Sequence, residues 1–209
     1  MKQFILMSDI IDSGNKPQNL LIGNFKKCTQ YINEKYDTYI ISPLTITLGD
    51  EFQGLISDFK SAVKIILDLE EFIIENNYQF KLRYVLFYGK IETSINKEVA
   101  YEMLGRGLTD ARNVLNNLKT KDERFHIDIQ NDSKNIICNN AFNIYQNIVD
   151  KWKLHIDYEI ISGFIKSNDY KIVAEDLQKN RSLMWKREKT LNISSYLSVK
   201  EILIEITKI

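Results

Sequence analysis

Two apolar segments of strand length end in acids: FILMSDIIDS, with Asp9, and TITLGDEFQG, with Asp50, separated by one helix-length stretch. A carboxylate at the tip of an apolar strand costs desolvation energy unless a cation or hydrogen-bond donor meets it. Two such tips close together in sequence therefore point to one shared site. Hard divalent cations prefer carboxylate oxygen, so Asp9 and Asp50, with the carbonyl of Ile10, form a candidate Mg²⁺ or Mn²⁺ ligand set. The competing reading is that each acid makes only local hydrogen bonds in its turn.

The order of elements bears on whether those acids meet. Residues 4–11 read as a strand followed by the turn signal Asp12-Ser13-Gly14-Asn15. Leu20, Leu21, Phe25, Cys28, Tyr31 and Ile32 then recur at helical spacing over 18–35. A β-branched stretch, 38–48, interrupted by Pro43, and a second, 51–56, flank Gly49-Asp50, read as a two-residue hairpin turn. Val63, Ile66, Leu67, Phe72 and Ile73 mark a helix over 59–76, and LRYVLFYGKIETSI reads as a strand broken by Gly89. Strand, helix, two hairpin strands, helix, strand is the split βαββαβ, ferredoxin-like arrangement. The expected fold is thus α/β (α+β), a sheet with its helices on one face. A right-handed crossover returns the chain so that the hairpin tip lies at the exit of the first strand, which brings Asp9 and Asp50 together.

Further along, 108–118 reads as a helix opened by Gly105 and Gly107, and 124–129 as an edge strand. The polar run Asn131-Asp132-Ser133-Lys134-Asn135 has the composition of a linker. It divides the expected chain into a domain over 1–130 and a small all-helical module over 136–209. In that module, NDYKIVAEDLQKNRSLMWKREKTLN has the form of a helix-turn-helix: Ile172, Ala174 and Leu177 form the inner face of the first helix, Gln178 to Asn180 the turn, and Met184 faces inward from the second. Arg181, Ser182, Trp185, Lys186 and Lys189 fall on or near the exposed faces of that second helix, as contacts for double-stranded DNA would. A partner protein or a plain solvated face are the alternatives.

Composition narrows the classes. Lys plus Arg and Asp plus Glu are equal at 28 each, so no global field draws the chain to nucleic acid or lipid, and any nucleic-acid contact must be local. Two cysteines and two histidines exclude a disulfide framework and make a zinc cluster a poor reading. No apolar run reaches the length of a membrane span, and the short N-terminal run meets Asp9 before any small-residue cleavage site. The expected location is the cytoplasm, without a membrane partner.

The two acidic segments, with LRYVLFYGKIETSI and YEMLGRGLTDARNVL, resemble the class III nucleotidyl cyclase domain in order and spacing, and more distantly the GGDEF diguanylate cyclases and polymerase palms. The Gly-Asp-Glu-Phe string at 49–52 is part of that likeness. The resemblance implies metal ligation by Asp9, Ile10 and Asp50, nucleotide binding around Glu102, Thr109 and Arg112, and completion of any catalytic site by a homodimer. It also exposes departures: Ile46 stands where the cyclase pattern has a base-reading lysine, Thr109 where it has an asparagine, and Asn113 where it has an arginine. Arg112 is one position away, a rotation of about 100 degrees on a helix. Active cyclase or nucleotidyltransferase chemistry is therefore the runner-up to metal-nucleotide binding without cyclisation, and a non-catalytic assembly module is a third reading. The whole chain resembles the SatD family, small bacterial proteins that join such segments to a C-terminal helix-turn-helix, which implies a nucleotide- and metal-responsive DNA-binding regulator.

Overall fold

From Ile5 onward the first apolar run has no exposed face, and a strand covered on both sides belongs in the middle of a sheet. The computed structural model, which describes residues 1–15 and 17–208, places it there. Strand β1 (Lys2–Ile10) is the centre of a five-stranded mixed sheet of order β2-β3-β1-β4-β5, with β2 Ile40–Ile46, β3 Glu51–Ile56, β4 Leu82–Lys90 and β5 Phe125–Asp128. It runs antiparallel to both β3 and β4, while β5 lies parallel to β4. Helices α1 (Gln18–Lys35), α2 (Phe59–Glu75) and α3 (Arg106–Leu118) make the connections β1 to β2, β3 to β4 and β4 to β5.

Period-two alternation sorts the side chains of β1 to opposite faces. Leu6 and Ile10, with Phe52, Ile56 and Tyr84, pack under α1 and α2. Ile5 and Met7, with Leu55 and Val85, pack under Leu108, Ala111, Leu115 and Leu118 of α3. The expectation of helices on one face is corrected by that second layer. A glycine pair permits it: a Cβ on Gly107 would sit 2.6–2.7 Å from backbone atoms of Gly89, so only glycines let α3 lie so close to β4. Gly89 does not break the strand as the sequence suggested; β4 runs through it to Lys90. The β2–β3 connection is likewise longer than a two-residue turn, spanning residues 47–50, with Gly49 at φ 84°. The register shifts in β2 on either side of Ser42 accommodate Pro43 at the sheet edge.

The polar run 131–135 is not a linker. Asn131 caps α4 (Asp132–Val149) by accepting from the Lys134 amide at 3.1 Å. Asn135 accepts from the Ile129 amide, and Asn139 both accepts from Ile127 N–H and donates to Ile127 C=O at 2.9 and 2.8 Å. These amides occupy the free edge of β5 as a further strand would. Helices α5 (Tyr158–Lys166), α6 (Tyr170–Asp176), α7 (Arg181–Thr190) and α8 (Ile193–Ile206) complete the chain. Their buried residues, among them Phe164, Met184, Tyr196 and Leu203, belong to the same apolar core as α1 and α2. Tyr196 of α8 donates to Glu71 of α2 at 2.6 Å, fastening the last helix to the first half of the chain. No helix among the described residues is long and apolar enough to cross a membrane. Cys28 and Cys138 are buried and unpaired, and burial pushes their thiols up to about 12 and about 11.

At the junction of sheet and helices sits Arg124, 3% exposed. Its Nη2 donates to both Glu70 oxygens at 2.6 and 2.7 Å, its Nη1 to Asp150 at 2.9 Å and its Nε to the Leu82 carbonyl at 2.9 Å. Removing one partner strands the other's charge in the interior, which typically costs about 3–5 kcal/mol. Arg124→Met should therefore lower unfolding free energy by about that amount in urea titration. Arg124→Met with Glu70→Gln should recover part of the loss, a positive coupling in a double-mutant cycle. Additive losses would show that the two groups do not act as a pair.

Candidate functional site

Strand register assembles a charged cluster at one end of the sheet. Asp9 lies opposite Glu51 on one side and opposite Arg83 on the other, and directly paired residues share a face. All three project to the face covered by α3. The C-terminal end of α3 lies over that end of the sheet and delivers Lys119, its C-cap residue, while Arg112 comes from one face of the same helix. Asp50, in the β2–β3 connection, is brought to the exit of β1 by its carbonyl, which accepts from Ile10 N–H at 2.9 Å.

Most of the contacts are ionic. Arg83 Nη1 lies 3.2 Å from Asp9 Oδ2, and Lys119 Nζ lies 3.6 Å from the same oxygen and 2.8 Å from Glu51 Oε1. Arg112 pairs with Glu51 through Nη1 and reaches Gln53 Oε1 at 3.4 Å through Nη2. Ser13 donates to Asp50 Oδ2 at 2.5 Å. The acids Asp9 and Glu51 thus face the cations Arg83, Arg112 and Lys119, while the Asp50 carboxylate is held by Ser13. Asp9 and Glu51 are 3% and 4% exposed, yet Asp9 Oδ1, fully enclosed, has no hydrogen-bond partner among the described residues.

That enclosure governs protonation. Burial raises the Asp9 carboxyl above the ordinary aspartate value; Arg83 and Lys119 pull it down, Glu51 and Asp50 push it further up, and the net direction is upward. For Lys119, partial burial works against the charge, but the hydrogen bond and charge of Glu51, with the charges of Asp9 and Asp50, outweigh it and raise its ammonium.

Among the described residues no group of three or more His, Cys, Asp or Glu side chains is arranged to hold a metal ion. What the site offers instead is two carboxylates, one with an unpartnered oxygen, beside the backbone of Ile10. That donor set suits a hard cation that keeps part of its water shell.

The other residues singled out from sequence are more dispersed. Arg112 is in the cluster, but turned to Glu51. Thr109 is exposed one turn earlier on α3. Glu102 is exposed, at φ 63°, in the long connection from β4 to α3. That connection is strapped to the sheet by Ala100, whose amide donates to Thr45 Oγ1 at 2.9 Å and whose carbonyl accepts from Gln53. Glu51, Arg83 and Lys119 were not singled out from sequence. Glu51 adjoins Asp50 and Arg83 opens the β4 segment, but only the register reveals that both flank Asp9.

In the C-terminal half of the chain α6 and α7 meet through a tight connection in which Gln178 takes φ 52°. Asn180 caps α7 by accepting from Ser182 and Leu183 amides at 2.8 and 3.3 Å, and Met184 is fully buried. Arg181, Ser182, Trp185, Lys186 and Lys189 are all exposed, whereas Arg187 is turned inward to the buried Asp157. On α6 the inward residues are Val173 and Ala174; Ile172, expected there, is exposed, because it lies two positions before Ala174, a spacing that does not share a helix face.

The sequence matches the model of the SatD family over residues 4–206. None of the curated proteins compared matches it. Among solved structures, a bacterial light-regulated adenylyl cyclase is similar at 13% identity and TM-score 0.42, over 60% of this chain and 74% of that one. The guanylate cyclase domain of RhGC from Catenaria anguillulae, in complex with GTP, is similar at 15% identity and TM-score 0.37, over 60% and 77%.

The upward shift of Asp9 makes a signed prediction in metal-free buffer with chelator. A carboxyl that holds its proton more tightly when folded contributes less stability above its folded pKa and more as pH falls through it. Asp9→Asn should therefore be at least as stable as wild type at neutral pH, with the difference shrinking toward acid pH in thermal melts. A variant clearly less stable at neutral pH would mean that Arg83 and Lys119 outweigh burial.

Proposed function

The chain belongs to the SatD family, and from that premise we propose that it is a cytoplasmic metal- and nucleotide-binding regulator with a nucleotidyl cyclase-like fold that holds a nucleotide without cyclising it. In this reading β1 to β4 with α1 and α2 form the split βαββαβ unit, extended by α3 and β5. The observation that carries the proposal is the enclosed, unpartnered Asp9 Oδ1 beside the Asp50 connection. Leaving a buried carboxylate oxygen unsatisfied is costly, and a cation at that point would remove the cost.

Asp9, Asp50 and the Ile10 carbonyl would hold Mg²⁺ or Mn²⁺, which when bound supplies charge to neutralise a triphosphate. The chain's own residues do the rest. Arg83, Arg112 and Lys119 provide a cationic wall beside those acids, and Ser13 orients the Asp50 carboxylate. Base reading and charge stabilisation are the weaker half, since Ile46 and Asn113 bring neither a cation nor an acid to positions where the cyclase pattern has them. Loss of one such electrostatic donor typically costs about two to three orders of magnitude in rate.

A ligand that binds only the native state raises its stability by mass action, about 2.7 kcal/mol at 100 times Kd, or roughly 5–10 °C for a chain of this size. Wild type should show such a shift with ATP or GTP plus Mn²⁺, should show less with either alone, and should form no appreciable cyclic nucleotide in the same samples. Asp9→Asn and Asp50→Asn should each lose the shift while staying folded. Equal shifts in wild type and both variants would sink the site, and robust cyclic product would promote the enzyme reading.

The output arm of the regulator is α7. Its cap, its buried Met184 and its packing on α6 are what a helix-turn-helix requires, and Arg181, Trp185, Lys186 and Lys189 form an exposed cationic and aromatic face. Since the net charge is zero, no diffuse basic surface imitates specific phosphate contact. Duplex affinity of the full chain should fall steeply with salt, and Lys186→Ala should lessen the slope by about one. Arg181→Ala should weaken specific more than nonspecific duplexes. Absence of salt-sensitive binding would leave protein contact as the role of this helix.

A further inference from the structure

Lys119 differs from the other two cations of the cluster. Arg83 touches Asp9 and is 14% exposed at its side chain, and Arg112 touches Glu51 and Gln53 at 29%. Lys119 reaches Asp9 and Glu51 together, and at 39% it is the most exposed of the three. It stands at the C-cap of α3, where the helix dipole favours a cation and where the chain leaves regular structure for the segment 120–124. An ammonium on a four-carbon stem is a point charge that moves without disturbing the backbone, whereas the guanidinium of Arg112 is fixed against two acceptors.

Building on the metal-binding reading above, we propose that Lys119 is a tethered competitor for the cation site: its ammonium neutralises Asp9 and Glu51 until a divalent ion enters, and then swings out to meet the phosphates of the bound nucleotide. The charge count supports an exchange. Arg83, Arg112 and Lys119 already pair with Asp9 and Glu51, and with Asp50 beside them the cluster is neutral in total, so a divalent ion added to it would leave it strongly positive, and one cation must give way. Lys119 is the most solvent-exposed of the three. Once displaced, it remains on the rim of the same site, where a polyphosphate would lie against the metal. Lys119 is thus a positioning residue that makes metal and nucleotide entry mutually supportive, because the departing ammonium regains a partner only when the triphosphate is there.

The test is a titration of the full chain with Mn²⁺ alone, followed by calorimetry or by the free-ion electron paramagnetic resonance signal. Lys119→Met should bind Mn²⁺ about tenfold more tightly than wild type, a change of about 1.4 kcal/mol. Lys119→Arg, which keeps the competing charge, should stay within about threefold of wild type, and Asp9→Asn should not bind. ATP added to the Mn²⁺-saturated protein should bind more weakly to Lys119→Met than to wild type. Equal Mn²⁺ affinity in wild type and Lys119→Met would overturn the competitor role while leaving the metal site standing. Failure of both to bind Mn²⁺ would overturn the site itself and the competitor with it. Far-UV circular dichroism verifies folding, and Lys119→Gln, which keeps a polar head, replaces Lys119→Met should the latter not fold.

Discussion

The guanidinium of Arg124 ties together three elements that share one apolar core and gives them a directional bond that apolar contact lacks. Its contacts reach the Leu82 carbonyl in β4, both oxygens of Glu70 in α2 and the carboxylate of Asp150 at the end of α4. Tyr84 adds its hydroxyl to Glu70 at 3.0 Å, and Lys81 pairs with Asp150 at 2.9 Å. Desolvating these charges brings little net stability, and well-packed apolar residues would often do as well or better. What the network adds is direction: a planar fork accepts its partners in few geometries, so the sheet, α2 and α4 are set at one angle. Arg83 is one residue from Leu82 on β4, so the same junction that fixes the helical half also fixes a wall of the charged cluster.

Much of the strand and helix order is legible because alternation and helical spacing act locally. The strand positions, the crossover helices and the start of α7 at Arg181 follow from patterns a few residues long. What is not legible depends on partners distant in sequence. The layer of α3 on the second face rests on the Gly89 and Gly107 contact, two glycines 18 positions apart in sequence. The polar stretch after β5 reads as a linker because Asn, Asp and Ser suit loops, caps and edge-covering equally well. Only the sheet shows that Asn135 and Asn139 serve as surrogate backbone for β5. Glu70 gave a signal that passes easily unnoticed: it falls between Ile66 and Ile73 on the buried stripe of α2, where an acid implies a hidden cation.

The charged cluster divides in the same way. Asp9 and Asp50 stand out because acids at the ends of apolar strands are locally anomalous. Arg83, Glu51 and Lys119 stand out only once the register of β1 with its neighbours is known, and a one-residue slip would send each strand residue to the opposite face. Arg112 is legible by resemblance, but its pairing with Glu51 is not. The motif placed it near a nucleotide, and the fold turns it to Glu51.

Two buried ionic groups in one small fold thus have opposite character. Around Arg124 every charged partner is matched: Glu70 accepts through both oxygens, Asp150 takes two cations, and the Leu82 carbonyl takes the remaining edge. Such closure leaves nothing for a ligand to gain. Around Asp9 the balance of charge is complete but the balance of hydrogen bonds is not. One carboxylate oxygen is enclosed without a donor, its carboxyl is pushed upward by burial, and the cation nearest solvent is held by long-stemmed contacts. A fold selected only for stability would place an amide or an apolar residue there. Keeping the acid stores unfavourable free energy at one point of the sheet, which in the proposed reading a cation meeting the open oxygen would release as binding. The difference between the two clusters therefore rests on the bonding of single atoms.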